Sequence, residues 1–324
     1  MPVAGALCRH RSPERLACLT LVATCGTLLL PGLARSPWVL LLVLVVFGAT
    51  YGATDVAMNS AAVRLAERSG RPILPRFHAL FSVGLLAGAL GGSLAAWLGL
   101  TVERHMVAAG AVALIGAVPC VALLDLRRAH APEPRPDSTA PHAARPAWLH
   151  PGVLVGAAMC GGAAFSESGV AGWGAIHLQH TVAASATVAP LGFAVCSVVE
   201  ALSRFGGTTA VERLGTRPFV MASAALAAIG LGLTLVPVLA LALLGYGLVG
   251  LGLSSLFPLG IAHAGALRGS AGVATASFVG YASFLLGAPL IGLLAGPLGL
   301  TVALTSGIVV ALLVIELGRR LPVR

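Results

Sequence analysis

Apolar residues run in long blocks along this chain, broken by short clusters of arginine, glycine and proline. Ten blocks stand out: 16–34, 38–62, 77–99, 104–124, 150–178, 185–206, 217–236, 237–262, 273–296 and 299–318. Crossing the hydrocarbon core of a bilayer as a helix takes roughly 20 mostly apolar residues. In lipid each backbone N–H and C=O must be paired within the protein, which leaves helices or a closed barrel. A barrel would show short segments of alternating polarity, and the blocks do not alternate. The pattern therefore predicts an all-α polytopic membrane protein with ten spanning helices.

Composition agrees. Of 324 residues, 57% are hydrophobic and 10% charged, against roughly 25% charged in soluble domains. Mean hydropathy is +0.95. These values exclude a soluble globular enzyme, a disordered chain and the usual nucleic-acid binder. All 20 basic residues are arginine, and 18 of them fall in one alternate set of loops, leaving Arg35 and Arg104 on the other side. By the positive-inside rule, both termini and the 125–149 loop are expected in the cytoplasm, with the chain in the inner membrane. Trp38, Trp97, Trp148 and Trp173 lie near block ends, where interfacial aromatics belong. The first block follows arginines and precedes a small-residue stretch, as a signal peptide would, but it is long for one. The six cysteines show no CxxC spacing and read as small apolar residues.

The one long polar stretch, 125–149, is rich in proline, alanine and charge and reads as a linker. It divides the chain into 1–124, an incomplete bundle of four helices, and 150–324, a bundle of six. Many transporters pair two six-helix halves around a midplane site. The Arg-rich stretch from Arg204 to Arg217 follows the second block of the back part, and Gly5 to Arg15 precedes the first block of the front part. If the two turns are equivalent, the front part lacks its first two helices.

Three stretches resemble the major facilitator superfamily (MFS), and within it the fucose-permease-like branch. Thr54 to Val63, with Glu67 to Pro72 and Phe77 to Gly84, is similar to that branch's fourth helix, loop and fifth helix. Glu167 to Leu178 resembles its seventh helix, with Gly172 where the pattern has an acid. Arg204 to Gly215 resembles the Gly–acid–Arg–Gly turn after its eighth helix, with Glu212 in place of the usual aspartate. The resemblance implies a two-bundle helical transporter working by alternating access.

Carboxylates inside a membrane cost roughly 2.5–3.5 kcal/mol on insertion scales, so each needs a reason. Asp55, Glu167 and Glu200 lie within the predicted spans. Asp55 and Asn59, at i and i+4, share a helix face with Tyr51 and Gly52. That stripe reads either as a cavity lining, with Asp55 exchanging a proton and Asn59 bonding a solute hydroxyl, or as a helix end where Asp55 pairs with an arginine such as Arg64. The resemblance favours the first, since Asp55 falls where that branch has a glutamate implicated in proton coupling. Glu167 is either a cavity carboxylate or a buried structural group. Trp173 could stack on a sugar ring and His177 donate to it, or the two could be an interface tryptophan and a helix-end histidine. Glu200 and Arg204, at i and i+4, read as a structural pair or gate lock. Glu212 and Arg213 read as a conformational latch or a solvated turn. His78 beside Ser82 reads as a helix-end residue. Gly84, Gly88 and Gly92 form a repeated GxxxG, read as a helix-packing device.

No phosphate-binding loop, HExxH, GxSxG or Cys/His cluster occurs. The sequence thus predicts no enzyme, catalytic residue, cofactor or metal. Its partners would be a small sugar-like solute, protons and the lipid bilayer, without nucleic acid, in a monomer. Alternatives are efflux of amphipathic compounds, or a non-functional or mis-started fragment of a transporter.

Overall fold

The computed structural model describes residues 1–128, 146–185 and 187–321. They form helices and turns, with no strand among them. The helices are α1 (Pro2–His10), α2 (Pro13–Thr27), α3 (Pro37–Ser69), α4 (Leu74–Trp97), α5 (Val102–Arg128), α6 (Pro151–His180), α7 (Leu191–Leu214), α8 (Thr216–Thr234), α9 (Leu239–Leu253), α10 (Leu256–Leu298) and α11 (Leu300–Gly318). Seven helical stretches among the described residues are long and apolar enough to cross a membrane.

Local chemistry sets several boundaries. Ser36 caps α3 by accepting the Val39 N–H, Pro37 opens the first turn, and Gly70 ends the helix with φ +64°. The α10 helix is broken by non-helical angles at Arg268 and Gly269, the latter at φ +53°. Its two parts fold back on each other there: Gly272 meets the Ala264 carbonyl, and Gly265 meets Val273. The part before the break continues the path of α9 after a short interruption at Ser254 and Ser255. Counted this way the described residues make ten helical runs at the ten predicted blocks.

The differences from expectation have local causes. The stretch before the first block is helical as far as His10, because α1 has packing partners: Ala4 and Cys8 are buried, and Gly5 sits on Ala274. The expected turn at Arg204–Gly215 is helix up to Leu214, and the chain turns only at Gly215, where φ is +82°. Gly207 survives inside that helix because Ser255 and Pro75 press against it. The linker begins later than position 125, since α5 runs through Arg128. Linker residues 129–145 lie outside the described residues.

Among the back helices, α6 lies along α10, α8 between α9 and α11, and α7 on α9. Among the front helices, α2 packs on α3 and α5. Contacts between the two groups run through α3 and α1 to α10 and through α4 to α7. The GxxxG stripe packs only at its end: a Cβ at Gly84 or Gly88 would meet no described atom within 4 Å, while one at Gly92 would lie 3.6 Å from His105 Cε1. Close approach occurs at Gly156 and Gly260 instead, where a Cβ on either would come within 2.5 Å of the other's carbonyl oxygen. Outward-facing apolar side chains cover the rest, and Trp38 and Trp97 are 80% and 81% exposed, as lipid-facing residues should be.

Gly260→Val should therefore destabilise the protein by about 1–3 kcal/mol through overpacking. Gly84→Val should do far less. Thermal denaturation of the two variants in detergent checks the contrast; equal losses would contradict this packing.

Candidate functional site

Two buried polar clusters lie where front helices meet back helices. The first is built on Asp55. It is 8% exposed, one turn before Asn59, which is 1% exposed. Asn59 Nδ2 donates to Asp55 Oδ1 at 3.0 Å. Two further donors come from α10: Ser277 Oγ to Oδ2 at 3.0 Å and Tyr281 OH to Oδ1 at 3.2 Å. Among the described residues Asp55 thus takes three neutral donors and no arginine, so the expected pairing with Arg64 is not made. Tyr51 stands edge-on to Tyr281, their ring centroids 6.4 Å apart.

The second cluster is built on Arg204 of α7. Its Nη2 donates to Glu200 Oε1 at 2.5 Å, its Nη1 to Ser82 Oγ of α4 at 2.5 Å, and its Nε to the Ser254 carbonyl at 3.2 Å. The interruption between α9 and α10 frees that carbonyl, and the guanidinium satisfies it. Glu167, from α6, lies within electrostatic range of Arg204 and Glu200. Rings join the two clusters: Tyr281 to Phe257 at 6.1 Å, and Phe257 to His78 at 6.0 Å.

A surface contact closes the Arg-rich face beyond them. Glu212 accepts from Arg71 Nε at 2.8 Å and from Nη2 at 3.4 Å. Nearby, Thr208 Oγ1 donates to the Pro72 carbonyl at 2.9 Å. Hydrogen bonding from Arg71 holds the Glu212 carboxyl below the usual range.

The structure brings together Asp55 and Asn59, and separately Glu200 and Arg204, while Glu167 makes no hydrogen bond or ion pair with a described side chain. It puts three expected residues elsewhere. Trp173 donates its indole N–H to the Ala288 carbonyl at 2.7 Å and packs on Gly292, so its ring is taken up by α10. His177 is fully buried, with Nε2 2.8 Å from the Thr234 carbonyl. It faces α8 and no solute cavity, because the long helix turns it inward. Arg213 is exposed and has no partner among the described residues; Arg71 is the cation that holds Glu212. Ser277 and Tyr281 escaped the sequence reading, though two hydroxyl residues at i and i+4 in an apolar helix were a usable signal.

A relative in Yersinia pestis, an uncharacterized MFS-type transporter, is 30% identical over 307 residues, covering 94% of this chain and 78% of its own length. The chain belongs to the major facilitator superfamily. An uncharacterized transporter, y4wD, of Sinorhizobium fredii is 28% identical over 301 residues, covering 91% of this chain and 77% of its own. No family model matches the chain. Among solved structures, the MFS transporter FucP in its outward conformation matches with TM-score 0.69 at 18% identity, covering 98% of this chain and 84% of its own. A bacterial homologue of the iron transporter ferroportin, in an outward-facing state, matches with TM-score 0.66 at 15% identity, covering 98% and 87%. The MFS fold and a secondary-transporter role follow, in a multi-pass membrane protein that carries a small molecule.

The lowered pKa of Glu212 gives a signed expectation. The contact with Arg71 is present above the ordinary glutamate range, near 4.3, and is lost only as pH falls through the still lower folded value. Spin labels at the exposed positions Ser69 and Leu214, on a background without native cysteines, should keep a short separation from pH 7 down to about 5. Glu212→Gln should lengthen it at pH 7 with little change in melting temperature, since exposed pairs stabilise weakly. No lengthening in that variant would remove the latch.

Proposed function

We propose that this chain moves a small, sugar-like polar solute together with protons, by alternating access between a front bundle, 1–124, and a back bundle, 150–324. The observation that carries the reading is the Asp55 carboxylate, buried and bonded at once to its own helix and to α10. An ionised carboxylate strengthens such bonds roughly twofold over neutral ones. Yet no arginine among the described residues offsets its charge, so ionisation in a low-dielectric interior carries a penalty. A proton on Asp55 relieves the penalty and weakens the tie to α10 together. That coupling of charge to closure is what a proton-driven rocking carrier needs. Of the solved neighbours, one is the Escherichia coli fucose:proton symporter FucP, with TM-score 0.71 at 17% identity. The arginine distribution orients the Arg-rich face, with both termini, toward the cytoplasm of an inner-membrane protein. The chain works as a monomer in this reading.

Efflux of an amphipathic compound is the second reading. It is favoured by a cavity of about 350 Å3 among α2, α3, α4 and α5, lined by Leu21, Met58, Leu65 and Phe77 with Arg68 beside them.

The test is uptake of radiolabelled sugars into proteoliposomes, with and without an imposed pH gradient. Each proton contributes roughly 2.3 kcal/mol per 100 mV. Wild type should accumulate a sugar against its gradient, and Asp55→Asn should lose accumulation while still exchanging solute at equal concentrations. Uptake indifferent to both gradient and substitution would end the proton role of Asp55. Net movement of dyes or detergents in place of sugars would favour efflux.

A further inference from the structure

Besides the face that carries Asp55 and Asn59 toward α10, helix α3 presents a second one. Thr54, Met58, Ala61, Leu65 and Arg68, spaced i, i+4, i+7, i+11 and i+14, fall on one stripe. All five line the cavity of about 350 Å3 that α2, α4 and α5 complete. Ala17 and Leu21 line it from α2, Phe77 from α4 and Val121 from α5. At one end Thr54 and Thr24 share a hydrogen bond of 3.0 Å between their hydroxyls. At the other stand the charged side chains Glu14, Arg64 and Arg68.

Length and depth match a single lipid. Thr54 lies 14 residues from Arg68, about 21 Å along the helix at 1.5 Å per residue. One leaflet is half of the roughly 40–45 Å that a bilayer spans with its headgroups. The Arg-rich end of α3 belongs at the cytoplasmic surface, so the stripe runs from the headgroup layer toward the midplane. Its middle is apolar and part-exposed: Met58, Leu65 and Phe77 keep 38%, 49% and 37% of their surface open. Water there would find few polar partners, whereas an acyl chain needs none. The charged end carries an excess of one cation. Arg64 and Glu14 cancel in net charge, and Arg68 is exposed and pairs with no described residue. Basic pockets between spanning helices on the cytoplasmic side suit anionic headgroups.

We propose that this cavity holds one anionic phospholipid of the cytoplasmic leaflet, with its phosphate on Arg68 and an acyl chain against Met58, Leu65 and Phe77. The lipid is a resident ligand, distinct from the transported solute. It ties α2, α3, α4 and α5 together where their own side chains leave a gap. It binds by association alone, with no bond made or broken. This site lies outside the transport reading of Asp55, and it competes with the efflux reading for the same cavity.

The experiment uses the full chain, purified in detergent and stripped of lipid, with three probes: dioleoyl phosphatidylglycerol, dioleoyl phosphatidylcholine and inorganic phosphate. Binding is read as the shift in melting temperature against probe concentration, and native mass spectrometry counts the lipids retained. The anionic lipid should bind roughly fivefold more tightly than the zwitterionic one, as one arginine at a headgroup implies. Arg68→Ala should erase that preference, and Arg68→Lys should keep most of it. Arg213→Ala, at an exposed position away from the cavity lining, should leave it intact. Met58→Trp, which fills the cavity, should weaken the binding of both lipids. Equal binding of the two lipids, a preference that survives Arg68→Ala, or full affinity in Met58→Trp overturns the proposal. Stabilisation by inorganic phosphate equal to that by lipid would reduce the site to a bare anion contact and overturn it too. So would a lipid-free dimer that Met58→Trp dissolves, which would put a second copy in the cavity. Displacement of the lipid by dyes that the protein also transports would return the cavity to cargo and end the resident-lipid reading.

Discussion

A carboxylate buried where two helices meet needs donors, and Asp55 takes them from both helices with one set of bonds. Its hydrogen bonds come from Asn59 on its own helix and from Ser277 and Tyr281 on α10. The same bonds that make its burial tolerable also fasten α3 to α10. Moving α3 away strips the carboxylate of two donors, and removing its charge loosens the contact. Neither change proceeds independently of the other. Around this point the other ties fall into place: Arg204 to Ser82 joins α7 to α4, Thr208 to Pro72 joins α7 to the α3–α4 connection, and Arg71 to Glu212 closes the surface.

The back helices supply the rigid frame against which this happens. Gly156 and Gly260 bring α6 and α10 so close that neither tolerates a side chain, and Gly230 does the same between α8 and α9. Without a hydrophobic force between helices in lipid, such contact and interhelical hydrogen bonds are what hold a bundle. Trp173 and His177 belong to that frame, each donating a ring N–H to a backbone carbonyl of a neighbouring helix. They look like solute ligands in the sequence because they are polar residues in an apolar run. Their direction, which depends on where α10 and α8 lie, is absent from any one-dimensional pattern.

Much of the architecture was legible because lipid imposes it. Twenty apolar residues between arginines must be a crossing helix, so the passes could be read with ends a few residues off. The ends failed where packing overrides composition: α7 keeps its helix through Gly206 and Gly207, and α1 forms beside arginines because α10 covers it. The candidate site was half legible. Asp55, Asn59, Glu200 and Arg204 declare themselves by helical spacing and by the penalty on charge in lipid. Ser277, Tyr281 and Arg71 do not, because each matters only through a residue some 140 or more positions away. The GxxxG stripe shows the opposite error: a valid motif for close packing, placed where Gly84 and Gly88 meet no described neighbour and Gly92 alone nears one, His105.

Magnitudes bear on whether such an interface could rock at all. Burying a few polar ties is a modest lock: neutral hydrogen bonds contribute about 1 kcal/mol each, and those to a charged group about 1.5–3 kcal/mol. The buried ties across the Arg-rich side are few: two on Asp55, one from Arg204 to Ser82 and one from Thr208 to Pro72. Their total is of the same order as the roughly 2.3 kcal/mol per 100 mV carried by each proton, and only a few times larger. Val56, Val63 and Leu74 also pack across with Val153, Ile261 and Val273, and this division between an apolar seam and polar ties leaves the polar ties as the part a change of charge would alter. It also explains why the charged ties sit at Asp55 and Arg204, since altering one charge there changes the largest individual contributions to closure.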